Sequence, residues 1–193
     1  MPSSSSHFAH ESKFEPRYCP DRPFPGYAFV PGVHPHPVSD PAGHSFGSVR
    51  PEPTGDPTDP EFREEFLFGV DLFNAGYYWE AHEAWECLWI ACGRKGQRAR
   101  LLQGLIKLAA AGVKCRTGNG VGVGRHASRA IELLSESREL AKDFGIQNLN
   151  EVIQFAREIV DSPIIDTTET RNGRVVLPMR LVLSIAFLET GFQ

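Results

Sequence analysis

The chain has 193 residues, 41% of them hydrophobic and 23% charged, and carries a formal net charge of -4. That balance fits one soluble domain with a tail, long enough to bury a core without disulfide or metal staples. It disfavours a nucleic-acid binder, which usually carries a basic face, and no apolar run is long enough to span a bilayer.

Four cysteines, Cys19, Cys87, Cys92 and Cys115, form no C-x-x-C pair, so the zinc-ribbon and thioredoxin spacings are missing. Three of them fall in apolar helical patterns, where a free thiol behaves as a small hydrophobe. With no charged-then-apolar N-terminal stretch, the expected location is the cytoplasm. The basic cluster Arg94, Lys95, Arg98 and Arg100 reads as a solvated loop and helix start.

Residues 1–57 are rich in Pro, Ser, Gly and His and show neither helical nor strand period. They predict an extended tail, disordered in its first part and ordered from about Phe24, where aromatics begin to recur. The helical bundle spans 58–161. Asp59-Pro60-Glu61 starts its first helix with a cap, a proline at the first helical position and an acid at the positive end of the dipole. Phe62, Phe66, Val70 and Phe73 then recur at helical spacing, and Gly76 supplies the stop.

The second helix runs from about Tyr77 or Tyr78 to Cys92. At about 100° per residue, Tyr78, Ala81, Trp85, Leu88 and Trp89 share a face, with His82, Glu86 and Trp79 at its edge. On this reading Glu80, Ala84 and Cys87 point away. The third helix, about Gln97 to Thr117, is apolar around most of its girth and therefore central. Gln103, Lys107 and Lys114 form its narrow polar stripe, and Ala109 to Gly112 permit close approach of a neighbour.

Gly118 to Gly124 read as a glycine-rich connection, followed by a fourth helix to about Phe144. Asn148-Leu149-Asn150-Glu151 resembles a capping box that opens a fifth. Residues 162–193 form an extended arm, with a turn signal at Asn172-Gly173 and a break at Pro178, packing on the bundle or on a partner subunit. The fold class is thus all-α: a bundle of about five helices with a Pro-rich tail and a short C-terminal arm.

The densest chemistry lies in Tyr78-Trp79-Glu80-Ala81-His82-Glu83-Ala84-Trp85-Glu86. His82 and Glu86 stand one helical turn apart. That spacing lets them share a divalent metal, or lets the carboxylate orient the imidazole. The string is close to the H-E-x-x-H metalloprotease motif, with Glu83 in the general-base place, but Glu86 replaces the second histidine. The plainer reading is a rim pair that hydrogen-bonds locally and fixes helix register. Gln103 and Lys107 would complete a polar pocket with His82 and Glu86 if they face the second helix, and Trp79, beside that pair, is a further candidate ligand contact.

A second constellation, His34, His36 and His44 with Asp40, offers metal ligands in the tail. Alternating prolines keep His34 and His36 from converging by themselves, so the sharper expectation brings one tail histidine over His82 and Glu86. The glycine run follows a helix and lacks a G-K-[ST] ending, which argues against a phosphate loop. Anion binding there, helped by Arg125 and His126, is a weaker option.

Phe73-Asn74-Ala75-Gly76-Tyr77-Tyr78-Trp79-Glu80-Ala81-His82-Glu83-Ala84-Trp85-Glu86 with Trp89 resembles the signature of domain of unknown function family 309. Gln103-Gly104-Leu105-Ile106-Lys107-Leu108-Ala109-Ala110 is similar to its second motif, and Gly118-Asn119 to the turn after it. The resemblance covers about Phe62 to Phe144. The stretch Phe29-Val30-Pro31-Gly32 and His34 to Ser45 resembles the N-terminal extension of longer bacterial members. The resemblance implies an all-α bundle and no established reaction. A functional site of the family would correspond by position to His82, Glu83, Glu86 and Gln103.

Two functions follow as expectations. The first is a cytosolic helical module, as a homodimer, that binds a small ligand or a protein partner. The second is a metal-dependent hydrolase in which His82 and Glu86 are ligands and Glu83 is the catalytic base.

Overall fold

The computed structural model describes residues 17–48, 53–168, 170–171, 174–175 and 177–186. Six helices stand among the described residues: α1 (Pro60–Asn74), α2 (Tyr78–Ala91), α3 (Gly96–Arg116), α4 (Gly120–Ser135), α5 (Arg138–Asp143) and α6 (Leu149–Asp161). None is long and apolar enough to cross a membrane. The all-α expectation holds, with one helix more than expected.

The start of α1 is built as its sequence dictates. Asp59 Oδ1 accepts the Glu61 N–H at 3.0 Å, and Pro60 occupies a position whose N–H would have no helical partner. Its end is a Schellman motif: Tyr77 N–H reaches Leu72 O and Gly76 N–H reaches Phe73 O. Gly76 takes φ +83° there, a conformation that a side chain would strain.

Helices adjacent in sequence pack side by side: α1 on α2, α2 on α3, and α3 on α4, with α6 covering α4. Helix α3 is central, and Leu101, Leu102, Leu105 and Leu108 are fully buried. Each such leucine contributes roughly 1.5–3 kcal/mol of burial. Gly112 permits the close approach expected of its stretch, because a Cβ there would sit 2.5 Å from Tyr78 Cγ.

Three sequence readings need correction in this region. The glycine run is mostly helix: α4 begins at Gly120, capped by Asn119 Oδ1, which accepts the Gly122 N–H at 2.8 Å. The fourth helix does not continue to Phe144 but breaks after Ser135. There the Ser137 hydroxyl donates back to Leu133 O at 2.8 Å, competing with the ladder. The third correction concerns Asn148, which makes no capping bond at α6. Its side chain instead donates to Val182 O and accepts from Ser184 N–H.

That use of Asn148 shows where the C-terminal arm goes. Thr170–Arg171 (β1) pairs antiparallel with Arg174–Val175 (β2), a minimal hairpin around the expected turn, whose Asn172 and Gly173 lie outside the described residues. The arm then packs on its own bundle through buried Met179, Leu183 and Ile185. Asn74 clamps Leu183 through both backbone groups, and Ile185 bridges to Ile146.

Residues 17–48 have no regular structure and lie along α1 and α2 as a belt. The expected disorder of the first part of the tail falls on residues 1–16, outside the described residues. From Arg17 onward the belt is tied down, ahead of Phe24. Tyr18 and Cys19 donate their N–H groups to the two oxygens of buried Asp71, each at 2.8 Å. Arg22 pairs with Glu65 at 2.6 Å, Phe24 stacks on Tyr77, and Ala28, Phe29 and Val30 are buried. This belt overturns the outward placement of Glu80 and Ala84. Both are buried, because α2 packs on two sides, and Cys87 on that side is half-buried.

Candidate metal and ligand site

Helix α2 divides its polar residues between two faces. Glu80 and His82 are two positions apart, about 200° around the helix axis, so they look into different surroundings. Glu80 lies under the belt, bonded to Phe29 N–H and facing His44, while His82 stands on the other side of the helix.

On the second face, His82, Glu83 and Glu86 converge. One ligand atom from each lies within 4.8 Å of the other two. His82 Nδ1 stands 3.6 Å from Glu83 Oε1, too far for a hydrogen bond, with the two side chains 26% and 21% exposed. That nitrogen is buried and has no hydrogen-bond partner. Ligand atoms sharing a zinc ion, each at about 2.0–2.2 Å from it, stand roughly 3–4 Å apart. Small side-chain rotations would therefore close this group around a cation.

Helices α3 and α4 complete the surroundings. His126 of α4 has its pKa lowered to about 4, first by burial and then by the charges of Lys107, Arg125, Lys114 and His82. Its imidazole is therefore neutral at neutral pH. His126 of α4 is thus within electrostatic reach of Lys107 on α3 and His82 on α2. Gln103 lies half-buried on the same stripe of α3 as Lys107.

The tail histidines go elsewhere. His34 stacks on Tyr27 at 4.9 Å, and its Nδ1 accepts the Val30 N–H. His36 meets Trp79 edge-on at 5.4 Å, and its Nδ1 accepts from Val38 and Ser39. His44 is the one that reaches an acid of α2, but that acid is Glu80, at 3.1 Å. None of the three joins the His82 group. Trp79, read from sequence as lying beside His82 and Glu86, is held between Phe29 and His36 beneath the belt.

Glu80, Asp71 and the neutral state of His126 were missed by sequence reasoning. A signal existed for Glu80. Tyr77, Glu80, Ala84 and Cys87 share a helical face whose small and sulfur-bearing residues do not suit open solvent. That face needed a cover, and the aromatic tail was available to supply one. His126 gave no such signal, since its burial depends on how α4 meets α3.

Comparison with curated proteins gives no match for this chain. Residues 66–125 match the family model Domain of unknown function (DUF309). That stretch runs from α1 into α4 and contains His82, Glu83, Glu86, Gln103 and Lys107, while the belt, His126 and the arm lie outside it. Over residues 66–125 the chain is thus similar to this family of unknown function.

Proposed function

We propose that the chain is a helical ligand-binding module whose ligand on α2 is a divalent cation held by His82, Glu83 and Glu86. The observation that carries this reading is their convergence, one ligand atom from each within 4.8 Å of the others, beside which the buried His82 Nδ1 has no hydrogen-bond partner. One imidazole and two carboxylates suit zinc or manganese better than calcium, which prefers an all-oxygen shell. Three side-chain ligands leave a coordination position for water or a small ligand. A cytoplasmic homodimer belongs to the same proposal, and four free cysteines agree with a reducing compartment.

His126 favours a second reading, metal-assisted hydrolysis. A neutral imidazole within electrostatic reach of His82 suits the acceptance of a proton from metal-polarised water. In this version Glu83, assigned from sequence as the base, becomes a ligand, and His126 takes the base's place.

The test is metal content by mass spectrometry of tag-free protein purified without chelator, beside His82→Ala and Glu86→Gln. Near-stoichiometric metal in the parent, lost in both variants with unchanged circular dichroism, supports the site. A parent that holds no metal and takes up neither zinc nor manganese in calorimetry rules it out. Metal-dependent turnover of ester or amide substrates, lost in His126→Gln, would select hydrolysis. Sedimentation showing a monomer at every concentration would remove the dimer.

A further inference from the structure

Under the belt, on the other face of α2, lies a second site. A cavity of about 220 Å³, partly open to solvent, separates the belt from α1 and α2. Its walls include Phe68, Trp79, Glu80, Glu83 and Arg22. The geometry points to a binding site for a small organic cation, a primary ammonium or guanidinium group on a short apolar body, with Glu80 as its anchor.

Glu80 is the central observation. Its side chain is 5% exposed. Oε1 already accepts from Phe29 N–H at 2.8 Å and faces His44 Nε2 at 3.1 Å. Oε2 is buried and has no hydrogen-bond partner. A buried carboxylate oxygen without a donor is rare in folded proteins, and this one belongs to a residue that walls an open cavity. A ligand N–H would supply the missing donor as a charge-assisted bond.

The balance of charge selects a cation. Arg22 is committed to Glu65 at 2.6 Å, with its guanidinium 3.8 Å from the Phe68 ring centre, so it offers little to an anion. Glu80 meets His44 through Oε1 alone, which leaves its Oε2 as the acceptor at the cavity wall. A metal ion is disfavoured, because Glu80 does not belong to the one metal-sized cluster among the described residues. The volume is below the roughly 300–1,000 Å³ of pockets for drug-sized ligands, so the ligand is small. Trp79 provides aromatic surface for its apolar part and for the cation itself.

The site is independent of the proposed metal site except for Glu83, which touches both. The experiment therefore uses the full chain after chelation, so that its failure says nothing about metal binding. Butylammonium and methylguanidinium are titrated against it, with butyrate and butanol as controls, and protein NMR follows the Trp79 indole. Saturable shifts with the cations alone are expected, with affinity lowered at least about tenfold in Glu80→Gln. A second variant, Val38→Trp, fills the cavity from an exposed wall position. It should abolish binding while leaving the rest of the spectrum unchanged, which keeps the test decisive if Glu80→Gln unfolds the belt. No saturable shift up to the solubility of either cation overturns the proposal. So does equal binding of butyrate, or parental affinity in a folded Glu80→Gln or Val38→Trp.

Discussion

The Tyr78 hydroxyl is bonded to both backbone groups of Met179, donating to the carbonyl and accepting from the N–H, each at 3.4 Å. One side chain at the start of α2 thus satisfies a buried stretch of the arm 101 positions later. Tyr78→Phe keeps the ring and leaves both Met179 groups without that partner. A loss of about 1–3 kcal/mol is expected in urea unfolding, toward the low end because the bonds are long. Hydrogen exchange should quicken at Met179 while α3 stays protected.

Gly112→Ala tests the same contact from the opposite side. The added methyl carbon would lie 2.5 Å from Tyr78 Cγ and 2.8 Å from Met179 Cε. Alanine favours a helix over glycine by roughly 1 kcal/mol, yet overpacking costs about 1–3 kcal/mol. The steric term should win, because the aromatic ring is buried and cannot swing away. A lower melting temperature is the expected outcome.

Asp71 holds the beginning of the belt through Tyr18 and Cys19. Asp71→Ala should cost about 1–3 kcal/mol and open the segment after Arg17 to protease. Limited proteolysis with mass mapping reads this directly. Cleavage confined to the belt, with the bundle intact, is the expected pattern.

His126 predicts a pH dependence with a definite sign. Its pKa falls from 6.5 to about 4 in the folded chain, so between those values the unfolded chain binds more protons. The contribution of this residue to stability is fully present above about pH 6.5. It is lost as the pH falls toward 4 and changes no further below that. In chelated protein, His126→Gln should flatten the slope of stability against pH within that window.

The thiols should react slowly. Burial and the nearby Asp71 and Glu64 push Cys19 up to about 11, and burial pushes Cys115 up to about 12. Cys92 is raised by the same desolvation. Thiolate is the reactive form, so iodoacetamide at pH 8 should modify all three more slowly than a free cysteine peptide.

Legibility in the sequence followed the range of the cause. The start and stop of α1 were readable because Asp59, Pro60 and Gly76 act within a turn. The central place of α3 was readable because its apolar residues run nearly all the way round. His82 and Glu86 could be paired as candidate ligands because one helix carries them a turn apart. Glu83 was read as a base, and its approach to them depends on side-chain placement. Glu80 was misplaced because its cover arrives from a tail without periodicity, some fifty positions upstream. Asn148 was misread as a cap because its side chain is claimed by Val182 and Ser184, which no local pattern announces. The break before Ser137 escaped notice because Leu134 and Ala141 keep the helical spacing across it.

The N–H of Ile185 donates to the Tyr18 hydroxyl at 2.8 Å, a bond across 167 positions. During synthesis Tyr18 leaves the ribosome among the earliest of the described residues and waits for a partner that emerges among the last. Every helix of the bundle is made in that interval. The belt can dock on Asp71 once α1 exists, but its clasp with the arm closes only at the end. A refolding experiment should therefore show helix formation running ahead of Tyr18 burial, with the two extremities of the fold joined in its final step.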